Sequence, residues 1–364
     1  MIVLLATLFS LVSLSSSAPS EGCGGELEGG LKPGEHERVT VTVSDPVQGE
    51  VTRSFLLHLP ANYDMSNNVK VPLVMDFHCR TCSAETQMST AWPQVADQDP
   101  EGFLYVAMEG ISDDDWGGGF ATWNVSSTNG PLGPTCDTDI HDGYSNPCYA
   151  SCARGDCSYL QDSCDWTHCY DDLAYTEVVL YRVLSSYCID LDSLHFSGWS
   201  NGAMFIYSRA LASLSASLAS VAPVAGSPLR GYNPLPDSPV NIIDFHGYMD
   251  DTVPYSVVSP GNLGPGPDDT VTSAAGYFFL DKPTHLNNLV SGMNCQTNNT
   301  KYHTEMDGQG DWGCVIWRGC DGGKEVVHCT GYYGHYYPFW GSVEGFNIIW
   351  QFMKSHPRSG DARL

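Results

Sequence analysis

Gly198-Trp199-Ser200-Asn201-Gly202 follows the apolar run Leu194-His195-Phe196 and precedes a helix-like run from Ala203 towards Ser213. As a bare string, G-x-S-x-G is common. Between a strand and a helix it is restrictive, because a sharp, strained turn there holds the serine hydroxyl clear of a sheet. A chain that uses this corner must supply a strand beneath the serine and a helix behind it.

The surrounding pattern meets that demand. Runs at 39–43 and 51–59 flank the turn-rich Asp45-Pro46-Val47-Gln48-Gly49 and predict an antiparallel pair. The fuller apolar run 71–77 predicts a buried strand of a mainly parallel sheet, and 103–108 the next one. Residues 172–187 read as a helix, with Leu173, Val178, Val179 and Val183 partly periodic. Short apolar runs at 191–197, 218–224 and 240–245 predict further strands. Phe346, Ile348, Ile349, Trp350 and Phe352 predict a last helix, stopped by Pro357. Alternating strands and helices imply the α/β class, with one principal domain over 21–364. The irregular stretches 111–170 and 256–328 read as insertions that wall a substrate site.

The first twenty residues carry no charged side chain. An apolar stretch over 2–12, then small residues up to Ser20, has the form of a secretory signal peptide and is too short to span a bilayer. Residues 1–20 are therefore expected to be removed, with cleavage roughly between 17 and 22. No later segment is apolar for long enough to anchor the chain. All 14 Cys lie at or beyond Cys23, and Cys136, Cys148, Cys152, Cys157, Cys164 and Cys169 cluster. Behind a signal peptide, an even cysteine count predicts disulfides rather than zinc. Cys79 and Cys82 are expected to pair with cysteines elsewhere. Asn124 and Asn298 head N-x-[ST] sequons, predicted to lie on surface loops as glycosylation acceptors.

Acidic residues outnumber basic ones 42 to 16, for a formal charge of −26. Such a surface repels nucleic acid and anionic membranes, so neither is expected as a partner. Asp137, Asp139 and Asp142 offer hard oxygen ligands for a structural Ca²⁺, but without the terminal Glu of an EF-hand loop. The chemistry inferred below requires no cofactor and no catalytic metal.

Ser200 needs a base to take its proton and an acid to orient that base. His246-Gly247-Tyr248-Met249-Asp250-Asp251 lies directly beyond the 240–245 run, where open parallel sheets place their sites. Asp250 is the preferred acid, with Asp251 its competitor. Gly334-His335-Tyr336-Tyr337-Pro338 follows later and makes His335 the candidate base, with His328 an alternative seven residues earlier. The resulting order, Ser then Asp then His, is that of an α/β-hydrolase. Attack on a carbonyl also needs donors for the oxyanion. The Asn201 N–H is one candidate; the N–H of Cys79 or Arg80, after the 71–77 strand, is the other. The Arg80 side chain is alternatively placed to bind an acidic substrate group.

On these residues the chain resembles the secreted polyhydroxybutyrate depolymerase and feruloyl esterase-like family of α/β-hydrolases. The resemblance is carried by Phe77-His78-Cys79, Ser197 through Met204, His246 through Tyr255 and Gly334 through Pro338, and covers about residues 71 to 352. It implies an α/β-hydrolase fold and assigns Ser200, Asp250 and His335 as the triad. Two departures stand out. The family's His-Gly-Cys is His78-Cys79-Arg80 here, and the Trp that usually precedes the last Pro is Tyr337.

The expected activity is secreted serine ester hydrolysis on a 3-hydroxyacid polyester or its oligomers. Feruloyl cell-wall esters are the alternative substrate, peptides a third, and an inactive extracellular binding protein the non-enzyme reading. Trp199, Tyr336 and Tyr337 are the candidate substrate contacts, and Trp116, Trp123 and Trp340 further aromatics suited to an apolar groove.

Overall fold

The computed structural model describes residues 19–25, 30–46, 48–113, 121–125, 151, 168–230, 233–274, 276–296, 300–305, 311–336 and 342–358. β1 (His36–Asp45) and β2 (Gly49–His58) form the expected hairpin, with Val39 opposite Phe55 and Asp45 opposite Gly49. β3 (Val71–Phe77), β4 (Leu104–Met108), β5 (Ile189–Trp199), β6 (Ser220–Val224) and β7 (Asn241–Gly247) follow. β8 (Gly264–Pro265), β9 (Thr270–Thr272) and β10 (Phe278–Leu280) make a small separate sheet. β11 (Thr300–Glu305), β12 (Asp311–Trp317) and β13 (Val326–Gly331) complete the strands.

The main sheet runs β1-β2-β4-β3-β5-β6-β7-β13-β12-β11. Its six central strands, β4 to β13, are parallel, and both ends are antiparallel. Every residue of β4, β6 and β7 is buried, as a parallel sheet covered on both faces requires. Alternation sorts the side chains into two cores. Leu73, Met75 and Phe77 join Tyr175, Val179 and Phe205 on one face. Val74, Phe103 and Tyr105 join Trp92, Phe346 and Trp350 on the other.

Helices cover these faces. α1 (Ala84–Met88) and α2 (Trp92–Gln98) are short and were not read from the sequence, since neither is long enough for a periodic stripe. α3 (Asp172–Ser186) is capped by Asp171, whose carboxylate accepts from the N–H groups of Leu173 and Ala174 at 3.1 and 3.0 Å. α4 (Asn201–Phe205) continues through a π-helical turn, Ile206–Ala210, into α5 (Leu211–Leu214). α6 (Lys282–Gly292) starts with Pro283 in its first turn. α7 (Val343–Ser355) is tied to the α2–β4 turn, where Trp350 Nε1 donates to Asp99 at 2.7 Å and Lys354 pairs with the same carboxylate.

The 256–328 stretch is more regular than its composition suggests. It supplies a helix, the small sheet and the two edge strands beyond β13. Among the described residues, disulfides join Cys23 to Cys188, Cys79 to Cys82, Cys295 to Cys320 and Cys314 to Cys329, and Cys169 is disulfide-bonded as well. Cys79 and Cys82 therefore pair with each other instead of with distant partners. A tight turn, closed by the Cys82 N–H to Cys79 O bond at 3.1 Å, brings them together. Ser20 is already part of the packed chain, its hydroxyl donating to Tyr187 O at 2.6 Å.

Asn124 departs from its expected surface position. It is 2 % exposed, and its amide donates to Tyr170 O at 3.1 Å, so it is not presented as a glycosylation acceptor. Asn298, the other cysteines of the 136–164 cluster and the aspartates 137, 139 and 142 lie outside the described residues. Among the described residues no helix is long and apolar enough to cross a membrane.

Candidate active site

β5 ends at Trp199 and the chain turns at once into α4. At the corner Ser200 has φ 56° and ψ −115°, a conformation an L-residue adopts only when its surroundings enforce it. The enforcement is visible at the flanking glycines. A Cβ on Gly202 would fall 2.0 Å from Phe77 O, and one on Gly198 would fall 2.8 Å from the Gly202 carbonyl carbon. Both are backbone contacts, so neither position tolerates a side chain without moving a strand end. The Ser200 N–H is held by Val224 O at 2.8 Å.

β7 and β13 are parallel neighbours in register from Val326 opposite Ile242 to Gly331 opposite Gly247. Their exits are laced together: the Tyr248 and Met249 N–H groups donate to Gly331 O and Tyr333 O, each at 2.9 Å. A Cβ on Gly247 would lie 2.2 Å from Tyr333 O, so glycine is what lets the two loops touch. This contact delivers Asp250 and His335 to the same place.

His335 Nε2 lies 2.8 Å from Ser200 Oγ, and His335 Nδ1 lies 2.8 Å from Asp250 Oδ2. Asp250 is fully buried; its other oxygen accepts from the N–H groups of Thr252 and Val253 at 3.0 and 2.8 Å. His246 Nε2 sits 3.3 Å from Asp250 Oδ2 and 2.8 Å from Val253 O, bracing the carboxylate from behind. Burial by itself would raise the Asp250 pKa. The charge of His335 and the hydrogen bonds from His246 and His335 outweigh it, and the group is held well below the usual carboxylate range.

Both alternatives fall away for stated reasons. Asp251 points to solvent against the Gly261 turn. His328 is buried in a different network, with Nδ1 2.6 Å from Asp244 and Nε2 3.1 Å from Tyr255 OH. Asp244 also pairs with Lys282 Nζ at 3.0 Å and accepts from Tyr207 OH, while Lys282 donates to Gly226 O. This buried polar cluster ties α6, β7 and β13 to the helical run behind Ser200.

The loop after β3 is anchored by two residues, His78 and Trp123, whose anchoring role the sequence pattern did not show. His78 Nδ1 donates to Cys79 O at 2.6 Å, and its Nε2 accepts from the Gly110 N–H at 2.8 Å. That tautomer is neutral, and burial lowers the His78 pKa to about 4. Trp123, read from sequence as a possible groove wall, is instead fully buried. Its Nε1 donates to His78 O at 2.8 Å and its N–H to Asn201 Oδ1 at 2.7 Å, so a core residue joins the two halves of the site. The positive φ of this loop falls at Thr81 (71°), and Cys79 is not among the positive-φ positions. The missing glycine is thus not required at Cys79.

A cavity of about 370 Å³ opens over Ser200, lined by Cys79, Arg80, Thr81, Trp199, Thr252, Tyr277, Phe279 and His335. Of the three oxyanion candidates, Cys79 and Arg80 line the same cavity as Ser200, and Asn201 is the first residue of α4, where N–H groups have no intrahelical acceptor. Trp199 stacks near His335 with ring centres 6.3 Å apart. Tyr336 is more than half exposed and is absent from the described lining; Tyr337, Trp116 and Trp340 lie outside the described residues. Tyr277 and Phe279 come from the stretch read as irregular, where the aromatic run Tyr277-Phe278-Phe279 was the available signal. Among the described residues no cluster of three or more metal-ligating side chains occurs.

A central parallel sheet in this order, a strained serine after its middle strand, and an acid and a histidine later in the chain define an α/β-hydrolase carrying a serine–histidine–aspartate relay. No protein-family profile and no curated protein matches the chain. Among solved structures it is similar to sOPH (14 % identity, TM-score 0.49, covering 91 % of this chain and 90 % of that one). It is also similar to the poly(3-hydroxybutyrate) depolymerase LpqC from Bordetella parapertussis (14 % identity, TM-score 0.44, 87 % and 91 % covered). An S-formylglutathione hydrolase from Agrobacterium tumefaciens is comparable (10 % identity, TM-score 0.46, 89 % and 98 % covered). The strand order and the Ser200 corner, rather than these likenesses, define the fold.

Proposed function

We propose that the protein is a secreted carboxylic-ester hydrolase acting on 3-hydroxyacid polyester or its oligomers. The carrying observation is the pair of 2.8 Å contacts that His335 makes to Ser200 and Asp250 at the floor of an open cavity. His335 Nδ1–H donates to Asp250, which leaves Nε2 free of a proton to accept the one on Ser200 Oγ. As that proton moves, Oγ bonds to the acyl carbon and the carbonyl oxygen becomes an oxyanion facing the N–H groups of Asn201 and of the Cys79–Arg80 turn. Collapse breaks the bond to the alcohol, which leaves with the proton from His335. Water then gives a proton to the same nitrogen as its oxygen bonds to the acyl carbon; collapse breaks the bond to Ser200 Oγ, which takes that proton back from His335, and the acid is released. Asp250 stabilises the imidazolium in both steps.

The substrate class is supported by the lining: Trp199, Tyr277 and Phe279 suit an aliphatic acyl chain, and no metal or cofactor enters the steps. Secretion is supported by the leader-like first twenty residues and by disulfides spread through the fold. The test is a hydrolysis panel of p-nitrophenyl butyrate, 3-hydroxybutyrate oligomers and methyl ferulate, with Ser200→Ala as control. A burst of nitrophenol from wild type alone, with kcat/KM highest for the oligomers, is expected. A large preference for methyl ferulate replaces the polyester substrate with the feruloyl one, and a burst that survives in Ser200→Ala removes the mechanism.

A further inference from the structure

Ser200 follows directly on β5, whereas Asp250 stands on the loop beyond the end of β7. The relay works only if that loop is held in register with the sheet. The two N–H donors to Asp250 Oδ1 come from Thr252 and Val253, which belong to the same loop and move with it. Oδ2, the oxygen that faces His335, is met by a side chain of the sheet itself. His246 lies on β7, and its Nε2 is 3.3 Å from Oδ2. Its backbone is fixed by β13, where the partner residue Thr330 donates its hydroxyl to His246 O at 2.7 Å.

The neighbours of His246 decide which of its nitrogens carries the proton. Nε2 also lies 2.8 Å from Val253 O, which can only accept, so Nε2 is the N–H. That one N–H is shared between Val253 O and Asp250 Oδ2, and the Val253 N–H returns to Asp250 Oδ1. The result is a closed cycle of contacts through three buried residues. Tyr255 packs edge-on against the imidazole, with ring centres 5.8 Å apart. Nδ1 is buried and has no hydrogen-bond partner among the described residues. An apolar side chain would fill this space without burying an idle acceptor, so packing alone does not account for a histidine here.

Resting on the serine-relay reading, we propose that His246 is a positioning residue of the reaction, whose Nε2–H registers the Asp250 carboxylate to the sheet and so keeps His335 aligned with Ser200. It acts through Asp250 and not on the substrate. Without this donor the loop keeps its own two bonds to Oδ1 but loses the link that directs Oδ2. The contact between Asp250 and His335 then loosens. The imidazolium that forms as Ser200 Oγ gives up its proton is less stabilised, and the tautomer that leaves Nε2 of His335 free to accept is less firmly held.

The test measures the second-order rate constant with which Ser200 Oγ displaces fluoride from a fluorophosphonate, a reaction that needs the relay but no particular ester. His246→Leu is expected to slow labelling by about ten- to a hundredfold, the scale of one hydrogen bond to a charged group. His246→Gln, whose amide reaches the position of Nε2, should stay within about threefold of wild type. His246→Asn, whose amide reaches only the position of Nδ1, should be as slow as His246→Leu. In an Asp250→Asn background His246→Leu should change the rate by less than about twofold, because the group it acts through is already altered. A residue that only stabilises the fold lowers the amount of protein labelled and not the rate per site. An equal loss in both backgrounds, or a His246→Leu rate close to wild type, therefore overturns the proposal. Should His246→Leu not fold, the other pair decides, and equal rates in His246→Gln and His246→Asn overturn it. Labelling at the expected rates without cleavage of 3-hydroxybutyrate oligomers removes the polyester substrate and leaves His246 in place. A wild-type Ser200 that does not label removes the relay, and His246 with it.

Discussion

Gly202 and Phe77 stand so close that a Cβ on the glycine would fall 2.0 Å from the Phe77 carbonyl oxygen. The contact locks the first turn of α4 onto the end of β3, and so fixes the serine corner and the oxyanion loop relative to each other. Gly202→Ala must push one of them away. We expect a stability loss of about 1–3 kcal/mol in urea unfolding, typical of forced overpacking, together with a fall of at least about a hundredfold in kcat/KM from lost alignment. Wild-type stability and turnover in this variant would mean that the two segments are not interlocked.

The relay predicts unequal consequences for adjacent aspartates. Asp250→Asn keeps the shape of the buried side chain but cannot hold the same His335 tautomer, so kcat should fall by about 10³–10⁴-fold. Asp251→Asn, at an exposed position, should stay within about twofold of wild type. Steady-state kinetics on p-nitrophenyl butyrate distinguishes them; a larger loss at Asp251 reverses the assignment of the acid.

The buried cluster around Asp244 predicts strong coupling. Burial opposes the charges on Asp244 and Lys282, yet the lysine charge and the His328 bond hold the Asp244 pKa far below its usual value. Removing one partner strands the other, so Lys282→Met and Asp244→Asn should each cost about 3–5 kcal/mol. The double variant should lose less than the sum, by about 1 kcal/mol or more, in a double-mutant cycle of urea unfolding. Strict additivity would show that the pair is not coupled.

Acid should destabilise the fold before the relay carboxylate titrates. Burial lowers the pKa of His78 to about 4 and that of His195 to about 3. Between roughly pH 6.5 and these values the unfolded chain binds protons that the folded chain does not, so stability present above 6.5 is lost as pH falls. His78 alone accounts for about 3 kcal/mol across its window. Asp76 acts in the opposite sense: burial raises its pKa to about 6, so protonation between about 6 and 3.9 favours the folded state. Two histidines against one carboxylate leave a net loss. Urea midpoints at pH 7 and pH 4.5 should show it, with a shallower slope in His78→Gln and a steeper one in Asp76→Asn. A slope unchanged in His78→Gln would remove that histidine from the account.

Reading the residues in order located the parallel core, the serine corner and the two later loops, because each carries a local signal: an apolar run, a strand followed by glycines, a polar motif after a strand. The short helices α1 and α2 gave no such signal, nor did the strands beyond β13, which are strands chiefly through their neighbours. Trp123 shows the limit most plainly. Its aromatic character was evident, but only packing made it a core strut between His78 and Asn201 instead of a groove wall.

From the chain alone came the order Ser200, Asp250, His335, since a serine elbow and its partners keep a fixed sequence along an α/β-hydrolase. Folding selected Asp250 over Asp251 and His335 over His328, and drew Cys79 and Cys82 into one ring on the wall of the Ser200 cavity. Those choices depend on which way side chains point and on which loops touch. Such facts arise from burial and backbone contact across more than a hundred residues of separation, as between Ser200 and His335, and no local pattern encodes them.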